Sequence, residues 1–312
     1  MLAMQSITVH VPATTANLGP GFDSLGLALD LWNQATFELI GNGIQVEIHG
    51  EGKERLATDT RNLIAQAALK VYAITGNLPV IGLKIRCQNC IPLGSGLGSS
   101  AGAVLAGLMG ANALLDNPLD QEQILDLATE MEGHPDNVAP GLFGSLVIST
   151  TLIPEPTDNR PPIVARRVTV PMLETAVVVP AIDLPTKKAR AALPVQVAIR
   201  DAVFNIGRVA LVVEALRSGD LDLLGKVMDD RLHQPYRFKL IQGADEAVQA
   251  AHDAGASAVA LSGAGPGIVA FTKKGANQVV TAMINAFGAV GVNARGWVLK
   301  VAENGAWVEK NF

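Results

Sequence analysis

Pro92-Leu93-Gly94-Ser95-Gly96-Leu97-Gly98-Ser99-Ser100 runs directly into Ala101-Gly102-Ala103-Val104-Leu105-Ala106-Gly107. Three glycines alternate with small or hydroxyl residues, and small and apolar residues then continue at helical spacing. Glycine lets backbone N–H groups turn toward one point with no Cβ in the way. A helix opening near Ser99 aims its own unpaired N–H groups and the positive end of its dipole at that point. Such a concavity suits a polyphosphate. A glycine-rich turn before a buried helix is the plainer reading; the two serines at the helix entry favour phosphate. A Walker loop is excluded, because it needs a lysine after its last glycine and none occurs between Lys84 and Ser100. Gly96 to Ala101 also fits the dinucleotide pattern Gly-x-Gly-x-x-Gly/Ala, with Asp116 or Asp120 near the place of a ribose-binding acid. That competing reading needs strands alternating with helices downstream, and these are not evident.

The chain has 312 residues, enough for two domains, and 49% of them are apolar, enough for a sizeable core. Net charge is −5 and no basic run exceeds two residues, which argues against a nucleic-acid surface. No apolar run approaches membrane-spanning length, and Met1-Leu2-Ala3-Met4-Gln5 lacks the basic start of a signal peptide. The expected location is the cytoplasm. Cys87 and Cys90 form one C-x-x-C at the end of a strand-like run, read as ordinary structure rather than a redox pair or half a zinc site.

Outward from the glycine stretch, Val80 to Cys87 reads as the strand that feeds it, and Asn62 to Thr75 as a helix stopping at Gly76-Asn77. Upstream, Ala35 to Ile40 and Ile44 to His49 read as a hairpin around Gly41-Asn42-Gly43. Ile7 to Val11 reads as a first strand, followed by a long loop from Pro12 with Gly19-Pro20-Gly21 at its centre, either a structural corner or a ligand loop. Asn17 and Asp23 are its polar points.

Downstream, Asp120 and Gln123 form a capping box for a helix running to about Glu132. It ends in Glu130-Met131-Glu132-Gly133-His134-Pro135-Asp136-Asn137. These residues are either solvated helix-end charge, or a carboxylate for Mg²⁺ with polar groups that orient a nucleophile. The histidines, at 10, 49, 134, 233 and 252, show no zinc spacing. Leu146 to Thr150 reads as a strand, and Pro154, Pro156, Pro161 and Pro162 mark a domain boundary. Beyond it come a strand at Ala176 to Val179, helices at Val195 to Arg217 and Leu221 to Leu232, and a strand–turn–strand through Ser262-Gly263-Ala264-Gly265-Pro266-Gly267. A helix and a strand ending near Leu299 follow.

The loop 12–29, the loop 92–102 and the turn 261–267 together resemble, in order, the three motifs of the GHMP kinases. Pro-x-x-x-Gly-Leu-Gly-Ser-Ser-Ala is that family's phosphate loop. Residues 12–23, His134 to Pro140 and Pro235-Tyr236-Arg237 resemble its homoserine-phosphorylating branch. The resemblance covers essentially the whole chain. It implies an α+β fold, with a ribosomal-S5-like ATP-binding domain over 1–160 and a ferredoxin-like domain over 161–312. It implies ATP-dependent phosphorylation of L-homoserine to O-phospho-L-homoserine, a step toward threonine, by a cytoplasmic enzyme using Mg²⁺. Its partners would be these small molecules and a second copy in a homodimer, with neither nucleic acid nor membrane.

The resemblance also implies roles. Pro92, Leu93, Gly94, Ser95, Gly96, Leu97, Gly98, Ser99, Ser100, Ala101 and Gly102 would wrap ATP, with Asn62 at the nucleoside. Ser100 and Glu130 would hold Mg²⁺, with Glu132 as rival. Asp23 would meet the homoserine ammonium, and Arg190 and Arg237 its carboxylate. Asn17, Thr186, His134 and Gly263 would complete the substrate site. Asn137 would orient the attacking hydroxyl, and Asp136 stands where mevalonate kinases in the family carry a base. An ammonium-binding carboxylate beside two arginines fits a zwitterion better than mevalonate.

Overall fold

The computed structural model describes residues 6–76, 82–153 and 162–311. Asn77, Val80 and most of the proline-rich stretch expected to part the domains lie outside them. Strand β1 (Ser6–Ala16) outruns the expected Ile7 to Val11. Pro12 to Ala16, expected in a loop, stay paired with β2 (Leu25–Ile40). The register shifts between Pro12 and Ala13, a bulge that tolerates a residue with no N–H to give. The ligand loop thereby shrinks to residues 17–24.

The expected hairpin does not form. β3 (Ile44–Gly50) pairs in parallel with β4 (Gly82–Asn89), and β4 also pairs antiparallel with β2, so it lies between the two. Gly41-Asn42-Gly43 reverses the chain but leaves a strand-wide gap. Two strand spacings, about 10 Å, are within reach of a three-residue link. Between β3 and β4 lies α1 (Leu63–Ile74), the expected helix, capped by Asn62.

Helices α2 (Ser99–Leu114), α3 (Gln121–Glu132) and α4 (Pro135–Phe143) follow, then β5 (Leu146–Thr151) and β6 (Ile163–Val168). The capping box of Asp120 and Gln123 is present. The Ala/Gly content of α2 lets it lie close under α1: a Cβ on Gly107 would stand 2.3 Å from the Ile64 carbonyl oxygen. Val104, Leu105 and Leu108 pack with Val9, Val11, Phe37 and Ile85 of the sheet.

The second half opens with β7 (Glu174–Pro180), α5 (Thr186–Ala191) and α6 (Ile199–Ser218), which starts later than expected. Helix α7 (Leu221–Val227) stops before the expected Leu232. The Asp230 carboxylate there accepts the amides of Leu232, His233 and Gln234, an alternative to helix continuation. Then come α8 (Gln234–Arg237), α9 (Ala244–Asp253), β8 (Ala258–Leu261), β9 (Ile268–Phe271), α10 (Ala276–Ala289), β10 (Ala294–Lys300) and β11 (Trp307–Asn311).

The second sheet, ordered β10-β7-β9-β8 and antiparallel throughout, has the strand order and β–α–β–β–α–β course of the ferredoxin-like class. Alternation along β7 gives it two apolar faces. Ala176 and Val178 pack on α9 and α10. Val177 packs with Val212, Leu216 and Leu224 of α6 and α7, and with Leu25, Leu27 and Leu29 of β2. That shared core joins the halves and sets the cleft between them. The sheets do not divide the chain at one point: β6 pairs with β5, and β11 with β1.

Candidate active site

The glycine loop leaves β4 with Ile91 buried and then turns Ser95 inward. The Ser95 hydroxyl donates to the Pro92 carbonyl (2.7 Å) and accepts from the Leu97 amide (3.2 Å), so it builds the loop rather than facing a ligand. Gly94, Gly96 and Gly98 have φ of 63, 78 and 71°, the left-handed region. Two are also fixed by space: a Cβ on Gly96 would lie 2.1 Å from the Ser262 carbonyl, and one on Gly98 2.0 Å from Thr14 Oγ1. The turn 262–267 clamps this loop, with the Gly267 amide donating to Ser95 O and Ser262 Oγ to Gly96 O. Asn62 and Asp120 cap α1 and α3, but among the described residues no side chain caps α2. Its amino end opens onto a cavity.

Two cavities flank the loop and share Gly94, Ser99 and Ser100. The first, about 380 Å³, is largely apolar, with Ile48, Leu56, Leu63, Cys87 and Leu93 in its wall. Asn62 lines it too, but both ends of its amide are engaged, by the Ile64 amide and the Ala57 carbonyl. Nδ2 keeps a second hydrogen and Oδ1 a second lone pair, so Asn62 both shapes this cavity and has hydrogen-bonding capacity to offer it. Burial pushes the Cys87 thiol up to about 12, so it stays protonated.

The second cavity, about 340 Å³, is polar and collects Asn17, Ser100, Glu132, His134, Asn137, Thr186, Arg190, Arg237 and Gly263. Gly94, Ser95, Gly96, Gly98, Ser99 and Ala101 line its floor. Of the remaining loop residues, Leu97 is buried beneath, Gly102 faces the apolar cavity, and Pro92 and Leu93 border a third cleft toward β10.

Glu130, expected to share Mg²⁺ with Ser100, does not line this cavity. Its carboxylate lies 2.8 Å from Lys70 Nζ on α1, away from the cavity. Two residues on, about 200° around the helix, Glu132 Oε1 accepts from Ser100 Oγ at 2.6 Å. Burial pushes the Glu132 carboxyl above its usual range, and the Ser100 bond offsets this in part. Ser100 and Glu132 supply adjacent hard oxygens with no cation of the protein between them, a fit for Mg²⁺ beside a phosphate loop. Among the described residues no group of three or more His, Cys, Asp or Glu could hold a metal alone.

Asp136, expected beside Asn137 in the catalytic group, does not line the cavity either. It is fully buried, with Oδ1 2.5 Å from His134 Nδ1 and 3.4 Å from Asn137 Nδ2. Oδ2 has no partner among the described residues. Asp136 thus stands behind His134 and Asn137 and aims them. Burial lowers the His134 pKa, but the bond to Asp136 and its charge raise it more, so the net shift is upward. Asn137 Oδ1 accepts from Thr14 Oγ1 at 2.9 Å.

At the far wall, the lining residue Arg190 holds Asp23, which does not itself line the cavity, through two bonds of 2.8 and 2.9 Å. Thr186 lies four residues before Arg190 on α5, on the same helical face. Arg237 is 1% exposed and has no carboxylate partner among the described residues. Its nearest acceptors are long: Gly263 O at 3.3 Å, His233 Nδ1 at 3.4 Å and Ala189 O at 3.5 Å. Burial lowers its pKa. The residue reading missed Phe22, whose ring lies under both Arg190 and Arg237, and His233, stacked on Phe22. Gly21-Phe22-Asp23 and the Asp230-to-Arg237 segment carried them, but nothing local marks a histidine as buried.

Comparison with known proteins agrees with this geometry. Residues 62–145 match the GHMP kinases N terminal domain, and residues 212–290 the GHMP kinases C terminal domain. The chain is 44% identical over 300 residues to homoserine kinase of Moorella thermoacetica, covering 96% of this chain and 99% of that one. It is 44% identical over 306 residues to homoserine kinase of Synechococcus sp., covering 97% and 95%. The crystal structure of homoserine kinase from Cytophaga hutchinsonii superposes with a TM-score of 0.85 at 32% identity, over 99% of this chain and 98% of that one.

Proposed function

Because the chain belongs to the GHMP kinase family, we propose that it transfers the γ-phosphoryl group of ATP to the side-chain hydroxyl of L-homoserine. The products are ADP and O-phospho-L-homoserine, a step toward threonine. The observation that carries the substrate is the charge layout at the polar cavity: a buried Arg237 that makes no ion pair with a carboxylate among the described residues, near an Asp23–Arg190 pair. Burying an unpaired cation costs several kcal/mol, and a substrate carboxylate relieves that cost. The Asp23–Arg190 pair then opens to a zwitterion, Asp23 taking the ammonium and Arg190 joining Arg237 on the carboxylate. Mevalonate has a carboxylate but no ammonium, so Asp23 would lose Arg190 without replacement.

ATP places its nucleoside in the apolar cavity and its phosphates against the uncapped amino end of α2, where Gly94 to Ser100 surround them. Ser100 and Glu132, rather than Glu130, would hold Mg²⁺, which when bound neutralises charge on the outer phosphates. Asn17, Thr186, His134 and Gly263 border the amino acid, and Asn137, steadied by Thr14 and Asp136, orients its hydroxyl. With Asp136 withdrawn, positioning carries the acceleration. The hydroxyl forms its bond to phosphorus as the bond to ADP breaks, and its proton leaves late, to the transferred phosphoryl group.

The ATP-binding half is assigned to residues 1–160 and the second half to 161–312, with β6 and β11 joining the sheet of the first. A homodimer is supported by the exposed stripe Ile199, Val203 and Ile206 on α6. Cytoplasmic residence is in keeping with the need for ATP, and among the described residues no helix is long and apolar enough to cross a membrane. The deciding experiment is a coupled ADP-release assay with Mg·ATP, comparing L-homoserine with mevalonate. Homoserine-dependent turnover is expected. Turnover with mevalonate alone would keep the family and overturn the zwitterion argument.

A further inference from the structure

His233 touches no expected ligand, yet it is 0% exposed and lies at the junction of both substrate-binding walls. Its Nε2 stands 2.8 Å from Gly19 O and 3.1 Å from Asn17 O. Both are carbonyls and can only accept, so Nε2 carries the hydrogen. Its Nδ1 faces Arg237 NH1 at 3.4 Å, and a guanidinium can only donate, so Nδ1 is the acceptor. The ring is therefore the neutral Nε2–H tautomer. The charged groups facing it agree: burial and Arg237 oppose protonation, and they outweigh the favourable charge of Asp230, 3.5 Å away.

We propose that His233 is a positioning residue for the amino-acid substrate, holding the Asn17–Asp23 loop and Arg237 in register. The loop needs holding. Asn17 and Asp23 both have left-handed backbones, φ 64 and 52°, a conformation uncommon outside glycine that asparagine and aspartate tolerate when local hydrogen bonds hold it. The Asp23 amide is tied to Asn17 Oδ1 at 2.8 Å, so a shift at Asn17 moves the ammonium-binding carboxylate. His233 is itself anchored: Asp230 accepts its amide, and Asn205 Nδ2 donates to Asp230 at 2.7 Å. Asn205 Nδ2 also lies 3.3 Å from the Pro20 carbonyl in the same loop. One ring thus sets the distance between the group that meets the ammonium and a group that meets the carboxylate. The inference rests on the substrate assignment above.

The test pairs kinetics with a ligand-free measurement. His233→Phe keeps the ring's bulk but neither nitrogen, and should raise the KM for homoserine about tenfold or more while leaving the KM for ATP within about twofold. His233→Gln can restore a donor at the Nε2 position and should return most of that loss. A His233→Phe enzyme with unchanged homoserine KM, or with both KM values raised alike, overturns the proposal, as does a His233→Gln enzyme no better than His233→Phe. If His233→Phe does not fold, the comparison runs between His233→Gln and His233→Asn, whose amide reaches only the Nδ1 position; equal homoserine KM values would then overturn it. Nitrogen-15 NMR of histidine-labelled wild type at about pH 8, with the signal assigned by its loss in His233→Gln, should show a neutral ring with its hydrogen on Nε2. A ring with its hydrogen on Nδ1 overturns the proposal with no substrate present, so an error in the substrate would be recognised separately.

Discussion

Glu130 and Glu132 stand two residues apart on α3, and that offset decides which can work with Ser100. Glu132→Gln should lower kcat by about a hundredfold or more and raise the Mg²⁺ needed for half-maximal rate. Glu130→Gln removes only an exposed pair with Lys70, worth about 0–1 kcal/mol, and should leave kcat near wild type. A magnesium titration of the two variants separates the roles. Arg237→Leu should raise the KM for homoserine by about ten- to a hundredfold with a smaller effect on kcat, because it removes a binding contact present before and during transfer. Asp136→Asn should weaken kcat without abolishing it. The amide keeps the shape behind His134 and Asn137 but loses the charge that holds the His134 ring; loss of all turnover would restore Asp136 as a base.

The amino end of α2 is where local structure becomes chemistry. Its first amides are free because Gly98 occupies the cap position with no side chain to turn back on them. Gly98→Ala meets two obstacles, a left-handed φ and Thr14 Oγ1 2.0 Å from the new Cβ. It should cost about 1–3 kcal/mol of stability and raise the KM for ATP. Denaturant unfolding and ATP kinetics read the two effects separately. The glycine loop was legible because glycine alternation ahead of an Ala/Gly helix has few other uses. The hairpin at 41–43 was misread for a related reason: turn chemistry reports that the chain reverses, but not whether another strand occupies the gap. Pairing with β4 lets β3 bury Val46 and Ile48 beside Leu83 and Ile85, a gain invisible from the turn.

Stability against pH belongs to the whole molecule, and two histidines, His233 buried and His134 half-buried, pull it in opposite directions. The His233 pKa is depressed in the folded state, so its contribution is present above its unfolded value near 6.5 and is lost as pH falls through the folded value. The His134 pKa is raised, so its contribution is present below 6.5 and is lost as pH rises through the folded value. Between pH 6.5 and 5 the Tm of His233→Gln should fall less steeply than that of wild type. Above pH 6.5 the Tm of His134→Asn should fall less steeply. Parallel curves would mean that neither ring carries the assigned shift. The sequence by itself determined the α+β class, the phosphate loop, the capped helices α1 and α3, and the set of polar residues from which the site is drawn. The helices and the glycine loop depend on local spacing, on glycine's conformational freedom and on residue chemistry within a few positions, whereas the α+β class and the loop's phosphate role came from the resemblance of three ordered motifs to the GHMP kinases. Only the tertiary structure decided that Glu132 and not Glu130 meets Ser100, that Asp136 lies behind the site, and that Asp23 and Arg190 hold each other. It alone placed His233 between the two walls and returned β11 to the first sheet. Those outcomes depend on which face of a helix meets a loop far away in the chain, and on burial that only the joined core imposes.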